Sequence, residues 1–218
     1  MKEEVIRTVR ETRIIAIIRG FSPDDCLRLA EAYREGGIRM VEVTFNQRDR
    51  SDWANTAAAI RMIGERFPGE VFAGAGTVLT AEQLKIAADA GAGYIITPSL
   101  DVEIVRAAVD AGLVAMPGAF TPTEIAQAYA AGASFVKVFP AVSLGPAYIK
   151  AIRAPLSHIP LLAVGGITPE NIGDFTKAGC VGAGVGGVLA DRSRVTAGDW
   201  AGVSAVARRL VENAAVAG

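Results

Sequence analysis

A (β/α)8 TIM barrel of the α/β class, with an extra helix at its N-terminus, is the fold predicted for this chain of 218 residues, and three observations predict it. Short β-branched runs recur every 20–30 residues or so, the spacing expected when each strand is followed by a crossover helix. Alanine-rich stretches with apolar residues at helical spacing lie between the runs. Proline and glycine punctuate the helices at their proper ends.

In chain order, Lys2–Arg10 reads as the extra helix, lying across one end of the barrel. The strands follow as Ile14–Arg19, Met40–Phe45, Val71–Thr77, Tyr94–Thr97, Val114–Gly118, Phe135–Phe139, Leu161–Gly165 and Gly182–Gly187. Amphipathic segments between them include Asp24–Glu35, Ala81–Ala90, Val102–Ala111, Thr121–Ala130 and Thr168–Ala178. Ser22-Pro23, Thr121-Pro122 and Thr168-Pro169 each set a capping hydroxyl before a proline suited to the first helical position, and Glu124 completes a capping box with Thr121. Gly36-Gly37, Gly91, Gly112, Gly132 and Gly179 stand where a left-handed residue turns the chain back into the next strand. No linker or composition shift divides the sequence, so residues 1–218 are expected to form a single domain. An open doubly wound sheet would give the same alternation, but the Arg19-Gly20 turn after its first strand lacks the GxGxxG fingerprint.

Composition removes several function classes. Half of the residues, 51%, are apolar, which is enough for a sizeable core. Formal net charge is −1, from 22 basic and 23 acidic residues, and no basic face is concentrated for nucleic acid or an anionic bilayer. Apolar runs such as Phe135–Val142 and Val181–Ala190 are too short to span a membrane. Met1-Lys2-Glu3-Glu4 carries acid where a secretory signal carries basic charge, so a cytoplasmic location is expected. Cys26, Cys180 and the sole histidine, His158, supply neither a disulfide framework nor a zinc site. No metal and no cofactor are expected.

Two charged residues interrupt apolar strands. Strict alternation sets Phe135, Lys137 and Phe139 on one face, and Met40, Glu42 and Thr44 on another. A lysine there either snorkels its ammonium to the rim or sits in an apolar cage that lowers its pKa. A shift of about three units, roughly 4 kcal/mol, would make the amine neutral and nucleophilic near pH 7, as a Schiff-base amine must be. Glu42 is either paired structurally with a cation or serves as a base in the same pocket, which suits carbon–carbon chemistry beside a ketone.

Other candidates sit at the carboxyl ends of the strands, where barrel active sites form. Arg19 could clamp a carboxylate or phosphate, or be solvated. Thr77 and Thr97 could hydrogen-bond a substrate, or serve as strand filler and helix cap. Val164-Gly165-Gly166-Ile167-Thr168-Pro169-Glu170 and Gly184-Val185-Gly186-Gly187 follow the last two strands, where barrels bind phosphate through exposed N–H groups; each alone could be a generic turn. His158, Cys180, Trp53 and Trp200 read as structural.

The motifs Ile-Ala-Ile-Ile-Arg19-Gly20, Val-Glu42-Val-Thr44, Gly74-Ala-Gly-Thr77-Val, Thr97-Pro98, Phe135-Val-Lys137-Val-Phe139-Pro140, Gly145-Pro146-Ala-Tyr148-Ile-Lys150 and Gly165-Gly166-Ile-Thr-Pro-Glu-Asn171 together resemble the class I aldolases of 2-keto-3-deoxy-6-phosphogluconate and 4-hydroxy-2-oxoglutarate. The resemblance runs from Ile14 to about Ala190. It implies that Lys137 is the Schiff-base lysine and Glu42 the general acid/base. It further implies that Thr77 and Pro98 line the keto-acid pocket, that Phe139 covers it, and that Gly165, Gly166 and Gly187 bind phosphate. The products would be pyruvate and glyceraldehyde 3-phosphate, and the assembly a homotrimer. Two residues depart from the common pattern. Asn46 replaces an arginine, as in branches resembling the phosphogalactonate enzyme, which shifts carboxylate binding toward Arg19. Val188 stands where relatives often have Ser or Asn near the phosphate. Aldolases acting mainly on 4-hydroxy-2-oxoglutarate or on 2-keto-3-deoxy-6-phosphogalactonate are the near alternatives. A phosphosugar isomerase or decarboxylase on the same fold, or a noncatalytic binder of small phosphorylated acids, would explain the glycines without requiring the lysine.

Overall fold

The computed structural model describes residues 1–215, so the last three residues of the expected domain lie outside the described residues. Helix α1 (Lys2–Thr12) precedes β1 (Ile14–Ile18), β2 (Met40–Thr44), β3 (Phe72–Gly76), β4 (Tyr94–Ile96), β5 (Val114–Met116), β6 (Gly118–Ala119), β7 (Val136–Val138), β8 (Leu161–Val164) and β9 (Gly182–Val185). The strands are parallel to their neighbours in the order β5-β4-β3-β2-β1-β9-β8-β7-β6. The two ends of this sheet are consecutive in the chain, because β5 and β6 are one extended run interrupted at Pro117, which has no N–H to donate.

That interrupted run closes the ring. β5 pairs with β4, and β6 pairs with β7. Between these ladders Ser134 N donates to the Ala115 carbonyl at 3.1 Å and Lys137 N donates to the Pro117 carbonyl at 2.9 Å. The nine strand segments among the described residues are therefore the expected eight, one of them broken.

Helices α2 (Pro23–Glu35), α3 (Trp53–Arg66), α4 (Ala81–Asp89), α5 (Val102–Asp110), α6 (Pro122–Ala130), α7 (Ala141–Arg153), α8 (Ile172–Lys177), α9 (Arg192–Ala197) and α10 (Trp200–Ala215) follow in chain order. Ser22 caps α2 by accepting from Asp25 N at 3.1 Å, and Thr121 with Glu124 forms the capping box of α6. The third expected cap is corrected. Thr168-Pro169 lies in a turn ahead of α8, where the Asn171 side chain accepts from Thr168 N at 2.9 Å, and the helix begins only at Ile172. Its turn satisfies the Thr168 backbone from ahead, so the hydroxyl-proline pair marks a turn rather than a helix start.

Alternation along the strands sorts the core into two layers. Ile14, Ala16, Ile18, Val41, Val43, Val136, Val138 and Ala163 face outward and pack with the helices. Ile15, Met40, Tyr94, Ile96, Val114, Met116, Phe135, Leu162 and Val164 face inward and form a second buried cluster with Val5 and Val9 of α1. Helix α1, expected over Lys2–Arg10, thus plugs the amino end of the barrel, and the Arg10 guanidinium lies 5.6 Å from the Phe135 ring centroid. The barrel interior is filled at that end, so a ligand that enters the barrel itself must do so toward the carboxyl ends of the strands. Among the described residues no helix is long and apolar enough to cross a membrane.

Candidate active site

Register and alternation bring the two interrupting charges into the interior above the apolar plug. Glu42 is 1% exposed and Lys137 is 7% exposed. The room that Glu42 occupies comes from β3, whose inward positions beyond Phe72 are Gly74 and Gly76. A Cβ on Gly76 would lie 1.8 Å from Glu42 Oε1, and a Cβ on Gly74 would lie 2.3 Å from the Tyr94 ring. Gly74 pairs with Glu42 and Gly76 with Thr44 across the β2–β3 ladder, so the carboxylate and the tyrosine ring share space that side chains on β3 would otherwise fill.

The electrostatics follow from burial. Desolvation pushes the Glu42 carboxyl above the ordinary carboxylate range, with Lys137 and Arg19 opposing in part. Desolvation likewise pulls the Lys137 ammonium below the ordinary lysine value; Glu42 opposes this, and Arg19 reinforces it. Both shifts favour uncharged forms, which is what removal from water dictates. Among the described residues, Glu42 Oε2 and the Tyr94 hydroxyl have no hydrogen-bond partner. Such atoms are open to a substrate or an internal water.

Around this pair, the carboxyl ends of the strands supply a rim. Arg19, just past β1, directs Nη2 toward Thr77 Oγ1 at 3.5 Å. Thr77 follows β3 with φ 56°, a left-handed conformation that a β-branched residue rarely adopts and that costs about 1–3 kcal/mol. Pro98 is pressed by Gly118, where a Cβ would meet the Pro98 carbonyl at 2.4 Å. Phe139 holds its ring centroid 4.8 Å from Lys137 Nζ and also packs over Gly165, whose added Cβ would lie 3.2 Å from the ring. Gly165 and Gly166 have φ 95° and 75°, and a Cβ on Gly166 would meet Val142 at 2.4 Å. Gly187 is exposed with open space above its Cα, whereas Val188 is partly buried against the outer core.

Lys137, Glu42, Arg19, Thr77, Pro98, Phe139, Gly165, Gly166, Gly187 and Val188 line one cavity of about 370 Å³. Asn46 is the expected site residue that the structure does not bring there. It lines a neighbouring cavity that shares Arg19, and its side chain serves the β2–α3 loop by donating to Asp52 Oδ2 at 3.3 Å and accepting from Arg48 N at 3.0 Å. Thr97 is also outside the cavity: its buried hydroxyl donates to the Ser99 carbonyl at 2.5 Å and accepts from Gly118 N at 3.3 Å. Val164, Ile167, Thr168, Gly184 and Gly186 of the two late glycine-rich segments also line the cavity, as does Ile17, for which the sequence reading assigns no role. Alternation along Ile14–Ile18, which puts Ile17 on the face of Ile15 and Arg19, is the signal that finds it. Cys180 is buried, with its thiol pushed up to about 12 by desolvation, and His158 stacks edge-on against Tyr129 at 5.4 Å.

Comparison with known proteins bears on this arrangement. A family model described as KDPG and KHG aldolase matches residues 5–206. The 2-dehydro-3-deoxy-6-phosphogalactonate aldolase of Escherichia coli strain K12 is 41% identical over 177 residues, covering 81% of this chain and 83% of that protein. A solved structure described as native KDPGal is 36% identical with TM-score 0.84, covering 94% of this chain and 95% of the other. A KDPG aldolase from Legionella pneumophila, with pyruvate captured as a covalent carbinolamine intermediate, is 25% identical with TM-score 0.81, covering 94% and 97%.

The glycines make a test of the geometry. Gly76→Ala is expected to lower unfolding stability by about 1–3 kcal/mol, because the new methyl collides with the Glu42 carboxylate. Gly187→Ala is expected to change it by less than about 0.5 kcal/mol, since nothing stands within reach. Denaturant unfolding of both variants checks the contrast, and equal midpoints would mean that the carboxylate does not rest on β3.

Proposed function

The chain belongs to the KDPG and KHG aldolase family and is an aldehyde-lyase, and on that premise we propose that it cleaves a 2-keto-3-deoxy-6-phospho sugar acid through a Schiff base on Lys137. The observation that carries this reading is an amine and a single carboxyl group buried in one cavity, each shifted toward its neutral form. A neutral amine is the nucleophile that a ketone requires.

The proposed sequence begins with Nζ attacking the C2 ketone to give a carbinolamine. Glu42, acting through water, supplies the proton that lets the C2 hydroxyl leave as water, and a cationic imine remains. A base then takes the C4 hydroxyl proton as the C3–C4 bond breaks. The bonding electrons enter an enamine rather than an unstabilised carbanion, and the aldehyde glyceraldehyde 3-phosphate departs. Protonation at C3 and hydrolysis of the imine release pyruvate and restore the amine. Covalent capture of pyruvate in the Legionella relative supports this route. In this reading Arg19, Thr77 and Pro98 hold the keto-acid end, Phe139 covers it, and the backbone of Gly165, Gly166 and Gly187 takes the phosphate. Val188 adds no side-chain donor there, and Asn46, engaged within its own loop, is left out of the contacts.

Borohydride reduction with pyruvate is expected to add a pyruvate-derived mass to the peptide containing Lys137. The neutral fraction of an amine grows with pH, and a lowered pKa moves that growth to lower pH. The trapping rate should therefore reach half-maximum below the free-lysine value of about 10.4. No adduct would return the protein to the isomerase, decarboxylase or binder readings, and a midpoint at the free-lysine value would reject the buried amine.

Of the phosphorylated acids, the phosphogalactonate-derived one is proposed as the preferred substrate. The support is the 36% identity to the native KDPGal structure, against 25% for the Legionella phosphogluconate enzyme, together with asparagine at position 46. A panel of kcat/KM values is expected to place the phosphogalactonate-derived acid first, the phosphogluconate-derived acid second and 4-hydroxy-2-oxoglutarate last. Another order would overturn the assignment.

A cytoplasmic homotrimer is part of the same proposal. Phe120 and Val142 are large apolar side chains exposed at 45% and 51% at the β6–α6 and β7–α7 connections, and such exposure suits self-association. Light scattering is expected to give three times the 22.7 kDa protomer mass, and a protomer mass would refute it.

A further inference from the structure

We propose that Gln83 is a positioning residue that acts through Gln47 to hold the Thr77 hydroxyl beside Arg19, an inference that rests on Thr77 contacting substrate as read above. Thr77 occupies a left-handed conformation at φ 56°, so its neighbours must hold it there. The structure supplies a chain of amides that does so. Leu79 N donates to Gln83 Oε1 at 2.7 Å, Gln83 Nε2 donates to Gln47 Oε1 at 3.1 Å, and Gln47 Nε2 donates to the Thr77 carbonyl at 2.7 Å.

The direction of this relay is determined by its ends. At these contacts Leu79 presents its N–H and Thr77 its carbonyl, so each link between them must accept on one side and donate on the other. A side-chain amide does both; a carboxylate or an apolar side chain of the same size does not. Gln83 reaches this position from the first turn of α4, is fully buried, and has its own N–H bonded to Thr80 Oγ1 at 3.1 Å. Burial leaves it no water to substitute for a lost partner. The residues Thr77 to Leu79 are thereby gripped at both ends, and the one hydroxyl in this segment is turned to within 3.5 Å of the Arg19 guanidinium. Helix α4 and the β2–α3 loop thus act on the rim without touching the cavity, since neither glutamine lines it.

The test is a double-mutant cycle. Gln83→Met is expected to raise KM for the keto-acid substrate by about 10–100-fold with a smaller change in kcat, the scale of a misplaced contact. In a Thr77→Gly background, which removes both the hydroxyl and the need to force the backbone, Gln83→Met should have little further effect. Gln47→Leu, at an exposed position that folding tolerates, breaks the middle link and should reproduce the KM rise if Gln83→Met fails to fold. Equal KM increases from Gln83→Met in both backgrounds, or unchanged KM in the Gln83 and Gln47 variants while Thr77→Gly raises it, would overturn the relay and leave the aldolase reading intact. An unchanged KM in Thr77→Gly alone would remove Thr77 from the substrate contacts, and this inference with it.

Discussion

Removal of one amine and one carboxyl group from water, inside the same hydrocarbon cylinder, is the constraint on which the rest of this molecule depends. Two charges so placed would cost several kcal/mol each before their attraction is counted. Both pKa shifts ease the conflict by favouring the neutral forms: Glu42, shifted up, holds its proton more readily, and Lys137, shifted down, releases one more readily. The sign of the stability effect follows. Above the ordinary carboxylate pKa, the unfolded chain gives up a proton that the fold retains at Glu42. Below the ordinary lysine pKa, it binds a proton that the fold resists at Lys137. Near neutrality both differences favour unfolding, so the site is a liability that hydrophobic packing must offset.

The offset is visible in the layers. Between strands and helices the outer core is continuous, and the inner cluster is completed by Val5 and Val9 of α1. Glycine on β3 then does what a larger residue could not, leaving the carboxylate and the Tyr94 ring where they are. Stability and reactivity are separated along the barrel axis: apolar contacts at the amino end, unmatched polar atoms above them, and a rim of loops at the carboxyl end.

Much of this was legible in the sequence because it is written in local periods. Lys137 between Phe135 and Phe139, and Glu42 between Met40 and Thr44, declare their face by alternation alone. Glycines such as Gly37 and Gly179, at φ 93° and 110°, declare helix ends in the same local way. Where partners come from elsewhere in the chain, the signal weakens. Asn46 turns away because Asp52 and the Arg48 amide compete for it, and Thr168-Pro169 looks like a helix start until Asn171 claims the Thr168 N–H. Gln83 and Gln47 are 36 positions apart, and only the barrel brings their amides together. The break at Pro117 divides one expected strand into two segments for an equally local reason, the missing N–H, but its effect is global, since the sheet closes through it.

The helix that stoppers the amino end has a kinetic corollary. A vessel with a floor admits and discharges through one mouth, so two fragments formed inside it cannot exit by separate doors. On the proposed Schiff-base route the fragment tethered to the wall stays behind, and the free one nearer the opening goes first. Sequential departure is then a matter of plumbing, set by Val5 and Val9 some distance from any bond that breaks.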